Sequence, residues 1–161
     1  MTAIEIRSIT AEETRMLRHA ILRPHQAPET LVFPGDLEAE SLHVGVFVND
    51  QLVGVASVVP GPMLGATMPA ETHTNGWQLR GMATCHEFRR KGFGAAMVRA
   101  CIDHVARHGG TVIWCNARTP AVPFYESLGF ETKGDEFHIP ISGPHFRMWR
   151  EVSPQDQDRL Q

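Results

Sequence analysis

The chain has 161 residues, 42% hydrophobic and 20% charged, with a formal net charge of -3. That length can bury a core without disulfide or metal staples, and the composition is neither disordered nor membrane-like. The negative balance argues against a general nucleic-acid binder, whose footprint would be a basic surface.

Ile4, Ile6 and Ile9, with Glu5 and Arg7 between them, predict a short alternating strand. Thr10-Ala11-Glu12-Glu13 is a capping box opening a helix from Ala11 to Leu22, with Met16, Leu17, Ala20 and Ile21 inward. Pro24, Pro28, Pro34 and Gly35 break the next stretch into a long irregular segment, a candidate substrate wall. Two Val-rich runs, Ser41 to Val48 and Leu52 to Val59, flank Asn49-Asp50-Gln51 and predict a hairpin. Gly, Pro, Thr and Met dominate from Pro60 to Asn75, a second loop. Gly76 to Thr84 reads as a central strand in which Gly81 hints at a bulge. Ala95, Val98, Ile102 and Val105 recur at helical spacing up to Gly109-Gly110, which ends that helix. Thr111 to Cys115 is a short strand, and Thr119-Pro120 opens another helix that Gly129 closes. Two strands, Phe130 to Ile139 and His145 to Val152, follow, and the tail after Pro154 is polar and frayed. The expected class is α/β or α+β around one mixed sheet, a single domain over residues 2–153 with a tail over 154–161.

The densest chemical signal is Arg89-Arg90-Lys91-Gly92-Phe93-Gly94-Ala95, between the central strand and the helix. Two glycines one residue apart let the backbone curl close to a ligand. The helix points its free N–H groups into that curl, and three cations stand just upstream. Together these read as a pyrophosphate cradle. A nucleotide P-loop would need G-x-x-x-x-G-K-[ST], which is absent, and a Rossmann fingerprint fails because Met97 stands where its third small residue belongs.

Leu79-x-x-Met82-Ala83-Thr84, followed by Arg89-x-x-Gly92-x-Gly94, resembles motif A of the GNAT acyl-CoA N-acyltransferase superfamily. Asn116-Ala117-Arg118-x-Pro120-Ala121-x-x-Phe124-Tyr125-x-x-Leu128-Gly129-Phe130 resembles that family's second signature, one helix and one strand downstream. The resemblance implies a mostly antiparallel mixed sheet flanked by helices on both faces. It implies acetyl-CoA or another acyl-CoA as donor, its pyrophosphate held by backbone N–H groups from Arg89 to Ala95. It also implies that the strand over Met82, Ala83 and Thr84 splays from its neighbour, so that the backbone of Met82 and Thr84 pairs with pantetheine amides. Asn116, at the end of the next strand, would hydrogen-bond the pantetheine arm, or is simply a turn residue.

The family position of Tyr125, the only tyrosine, commonly protonates the departing thiolate; the alternative is ring packing beside Phe124 and Phe130. Histone-type members carry a glutamate where Gln78 stands here, and Gln78 cannot act as a base. His145, in Gly143-Pro144-His145-Phe146, is the leading candidate base because histidine titrates near neutrality, ahead of His138, Glu71 and His73. Asp36, Glu38 and Glu40 could attract a cationic amine. Cys85 near the thioester raises an acyl-cysteine route, although direct transfer explains the motifs without it. His104 and His108 are four apart on a helix but lack the glutamate of a zincin, so no metal is expected.

Three cysteines, Cys85, Cys101 and Cys115, without a C-x-x-C pair fit a reducing compartment. With no basic–apolar leader at Met1 and no apolar run of roughly 20 residues, a soluble cytoplasmic protein without membrane partners is expected. The reading is an N-acetyltransferase acting by direct attack on a primary amine of a small molecule or amino acid derivative. A non-catalytic acyl-CoA sensor is the alternative. Homodimers are common among such folds, though no interface is legible in the sequence.

Overall fold

Seven strands form one sheet among the residues that the computed structural model describes, 2–63 and 75–157. They are β1 (Ile4–Ile9), β2 (Leu42–Val48), β3 (Gln51–Pro60), β4 (Gly76–Thr84), β5 (Val112–Arg118), β6 (Glu131–Ile139) and β7 (Gly143–Glu151). Their spatial order is β1-β2-β3-β4-β5-β7-β6, and each neighbouring pair is antiparallel except β4–β5. Helix α1 (Ala11–Leu17) packs on one face; α2 (Phe93–Arg107) and the short α3 (Val122–Glu126) pack on the other. The predicted class and order of elements are those observed.

Local chemistry explains most boundaries. Asn49 and Asp50 take φ values of 49° and 67°, the left-handed pair that a two-residue hairpin requires. Thr10 Oγ1 accepts from the Glu13 N–H at 3.1 Å, and Glu13 accepts from the Thr10 N–H at 2.9 Å, completing the capping box. The helix continues as a π turn over Arg18–Leu22. Its inward face differs from the predicted one: Ala11, Thr14, Leu17 and Arg18 are buried, whereas Met16 is 77% exposed and Ala20 is also exposed. Two polar residues, Thr14 and Arg18, occupy the inward stripe that an apolar-only reading assigns to Met16 and Ala20.

The main core lies between α2 and the sheet. Met97, Val98, Cys101 and Val105 meet Val44, Val58, Trp77 and Leu79, all buried, each large side chain contributing roughly 1.5–3 kcal/mol. A smaller cluster of Leu17, Val55 and Ala83 seats α1 on the other face. His104 and His108 stack with ring centroids 4.1 Å apart against Trp77, and each donates a ring N–H to a backbone carbonyl.

Two departures from regular pairing shape β4. Gly81 has φ +66°, and the register with β3 slips between Ser57↔Arg80 and Val55↔Ala83. This bulge shifts the alternation by one residue. Leu79 and Met82 therefore both face α2, while Arg80 and Ala83 face α1. The second departure is a parting of strands: β4 pairs with β5 only at Gly76–Gln78 against Val112–Trp114. Beyond Gln78 the two diverge.

The segment just after β7 is anchored where fraying is predicted. Pro154–Asp156 forms a capped turn, and Arg150 bonds Asp156 at 2.6 Å. Residues 158–161 lie outside the described set.

Candidate active site

The parted strands leave backbone groups without a strand partner. The Cys85 N–H donates to the Val53 carbonyl at 2.8 Å, so Cys85 and, two residues earlier, Ala83 direct their backbone toward β3. Met82 and Thr84 then direct theirs into the opening between β4 and β5. The Thr84 carbonyl accepts from Arg89 Nε at 3.1 Å, which ties the glycine turn to the edge of this opening. Ala83 spaces the two and sends its methyl into the α1-side core.

At the mouth of the opening stands the N-terminus of α2. Gly92 is its N-cap with φ +83°, and Arg90 is also left-handed at φ +62°. No side chain caps the helix. Ala96 N–H is the first to bond within it, to the Gly92 carbonyl, so the N–H groups of Phe93, Gly94 and Ala95 have no intrahelical acceptor. A Cβ on Gly92 would meet open space, whereas one on Gly94 would stand 3.3 Å from the Phe124 ring. Arg89, Arg90 and Lys91 are exposed beside this concavity. Uncapped N–H groups, a helix dipole and three cations could together hold an anion.

Tyr125 reaches the same opening from α3. Its hydroxyl donates to Met82 Sδ at 3.3 Å, and its ring packs edge-on against Phe124 and Phe130. Burial, with smaller contributions from the Cys115 and Cys101 thiols, raises the phenol above its ordinary value. It stays protonated at working pH, so this group can serve as a proton donor and not as a base. Cys101 and Cys115 are themselves pushed up to about 12 by burial. Burial, then Glu87, raises the Cys85 thiol as well, so it is a poor nucleophile.

His145 and Asn116 sit on the other face of the sheet. Asn116 lies within β5, which continues to Arg118, rather than at the end of a strand closing at Cys115. It pairs with Arg147, whose Nε donates to its Oδ1 at 3.3 Å. His145 is opposite Arg118 on β7, one strand away from the opening, buried and stacked on Phe137. Its Nδ1 is 2.7 Å from the Gly143 carbonyl. A carbonyl can only accept, so Nδ1 carries the proton and the neutral ring keeps its lone pair on Nε2. Tyr125 and His145 therefore approach from opposite faces of the sheet. His138 is exposed, and Glu71 and His73 lie outside the described residues.

The irregular segment after α1 contributes a buried polar network that sequence reasoning missed. Arg18 donates to both Asp36 oxygens, at 2.6 and 3.2 Å, and to Ser57 Oγ and the Leu31 carbonyl. Asp36 also accepts from the Phe33 N–H, so this carboxylate is committed and does not attract an amine. His43 links Ser57 Oγ to the Asp36 carbonyl at 2.6 and 2.9 Å. Arg80, likewise unpredicted, lies over the Phe33 ring on the α1 face of β4. Its place next to Gly81, on a central strand, was the available signal.

Known proteins share this fold. A model of the acetyltransferase (GNAT) family matches residues 6–130. An uncharacterised N-acetyltransferase, YitI, of Bacillus subtilis (strain 168) is 34% identical over 147 residues, covering 91% of this chain and 95% of that protein. ElaA of Escherichia coli superposes with a TM-score of 0.71 at 19% identity, over 92% of this chain and 100% of its own. An aminoglycoside 6'-N-acetyltransferase, solved in complex with coenzyme A, superposes at 0.68 with 16% identity, over 98% and 99%.

Proposed function

The chain belongs to the acetyltransferase (GNAT) family and is an enzyme of that kind, and from that premise we propose that it carries acetyl from acetyl-CoA to a primary amine by direct attack. The acceptor in this reading is a small molecule or an amino acid derivative. One observation carries the donor half: an opening between β4 and β5 whose exposed edge, Met82 and Thr84, leads to the uncapped N-terminus of α2. A pantetheine arm can pair with that edge as an added strand, while the pyrophosphate sits on the N–H groups of Phe93 to Ala95. A relative of the same fold was solved with coenzyme A, which supports this donor. Arg89, Arg90 and Lys91 add charge at the cradle, and Asn116 lies on the β5 side of the opening.

The chemistry then divides between the two faces. A neutral amine attacks the thioester carbon, forming the C–N bond as the C–S bond breaks and losing one proton. His145 Nε2 is the acceptor for that proton, directly or through a water. Tyr125 donates its hydroxyl hydrogen bond to the thiolate that leaves on the other side. The raised thiol of Cys85 favours direct attack over an acyl-cysteine route.

Tyr125→Phe should lower kcat about 100-fold with little change in acetyl-CoA affinity. Equal turnover, read by CoA release, would mean that another group protonates the thiolate. For His145→Gln, kcat should fall and the pH–rate profile should lose its acidic limb. That limb arises because a base works only when neutral, so the rate drops as pH falls. A profile that keeps the limb removes His145 as the base.

A further inference from the structure

We propose that Arg80 is an anion receptor in the acceptor site, so that the amine this enzyme acetylates also carries a carboxylate or phosphate group. The inference rests on the transfer reading above and deepens it by naming the substrate class.

Arg80 is a partly buried cation with no hydrogen bond or ion pair among the described residues, and its Nε is buried without a partner. Nearby acceptors are already used. Asp36 accepts from both guanidinium nitrogens of Arg18 and from the Phe33 N–H. Ser57, opposite Arg80 in the β3–β4 register, is held by Arg18 and His43. Arg23, another cation close to Arg80, is bonded to Ser142 at 2.7 Å.

What Arg80 does have is a fixed platform. Its guanidinium carbon lies 4.4 Å from the Phe33 ring centroid, and that of Arg18 lies 4.1 Å from the same ring. An aromatic face offsets part of the charge but accepts none of the five N–H bonds in their planar fork. Burial, the charge of Arg18 and the charge of Arg23 each lower the proton affinity of Arg80, and Asp36 offsets this only in part. Three cations, Arg18, Arg23 and Arg80, thus stand near one carboxylate, Asp36, and positive charge is left over there among the described side chains. A planar fork, pre-positioned by stacking and short of acceptors, suits bidentate binding of a carboxylate or phosphate.

Its location selects the ligand. Arg80 is two residues before Met82, roughly 7 Å along the strand; alternation from Leu79 puts it on the face on which His145 lies, and the bulge at Gly81 sends Met82 to the other. An anion on Arg80 would place an amine of the same molecule beside the opening, on the side from which His145 takes its proton. The cradle at α2 is at the mouth of the opening and faces the donor, so the two anion sites are separate.

Two measurements test this. With acetyl-CoA saturating, so that the cradle is filled, the melting temperature of wild type and of Arg80→Ala is followed against added inorganic phosphate and, separately, acetate. Wild type should gain several degrees with one of the two and Arg80→Ala should not; the anion that acts distinguishes phosphate from carboxylate. Equal shifts in both proteins, or none in either, overturn the proposal. CoA release is then compared for matched amines, an amino acid against its amide and phosphoethanolamine against ethanolamine. Wild type should prefer the anionic member of a pair at least tenfold in kcat/KM. Arg80→Ala should bring that ratio close to one, and Arg80→Lys should restore part of it. Unchanged preference in Arg80→Ala also overturns it. If no amine turns over, the transfer reading fails, while the melting experiment still decides whether Arg80 binds an anion.

Discussion

Gly92→Asp is expected to lower the affinity for CoA by on the order of 100-fold while the protein stays folded. Gly92 is left-handed at φ +83°, and a Cβ there would point into open space at the head of α2. Asp and Asn are the non-glycine residues that enter this backbone region most readily, so the turn survives. A carboxylate at that point would occupy the concavity assigned to the pyrophosphate. Two unit charges about 5 Å apart at an effective dielectric of about 20 repel by roughly 3 kcal/mol, which is a factor of about 100 in affinity. Gly92→Asn adds similar bulk without charge and should retain most of the binding. Titration calorimetry with CoA checks both, with a thermal melt as the folding control. Unchanged affinity in the Asp variant would remove the cradle from this turn.

Asp36→Ala should destabilise the fold by about 3–5 kcal/mol. The Arg18 side chain is completely buried, and Asp36 is its one ion-pair partner among the described residues. Removing the carboxylate strands a cation in the interior and frees the Phe33 N–H, the loop contact that supports the ring beneath Arg80. The double variant Arg18→Met/Asp36→Leu should recover much of the loss, because a buried pair replaced by apolar side chains is often close to neutral. Urea unfolding of the three proteins measures this. A loss below about 1 kcal/mol in Asp36→Ala would mean that the pair is solvated or replaced in solution.

How far these features could be read from the residues follows from the range of the interactions that create them. Hairpin and capping residues act within a few positions, so Asn49-Asp50 and Thr10–Glu13 were legible. Gly81 announced the bulge because only a glycine takes φ +66° there without strain. The glycine turn at Gly92 and the start of α2 were legible for the same reason, since both are local events. The burial of Arg18 was not. Charged residues are rarely buried unless paired, and the partner, Asp36, lies in a segment without periodicity that gives no sign of facing inward. Contact between Met82 and Tyr125 joins residues 43 apart in sequence, and only the bulge brings them to one face. For β5, the alternation of Trp114, Asn116 and Arg118 with Cys115 and Ala117 was present, but its polar half resembled a loop and shortened the predicted strand.

Arg80 was obscured for a further reason. Alternation carried past Gly81 without the bulge would put Met82 beside Arg80 on the α1 face, and the separation of the two across the sheet is then not foreseen. With the bulge, one strand serves two purposes. Its α2 side supplies the contact to the phenol proposed to face the donor, and its α1 side supplies the cation proposed to face the acceptor.

The most direct test of the account is an acetyl-transfer assay with purified protein, acetyl-CoA and a panel of amines. The panel should include amino acids, aminoglycosides, phosphorylated amines and peptides, with CoA release followed by thiol titration and products by mass spectrometry. Release of CoA matched mole for mole by an acetylated amine is the predicted result. Tight binding of acetyl-CoA with no acetylated product from any amine would contradict it and identify the opening between β4 and β5 as the binding site of a sensor.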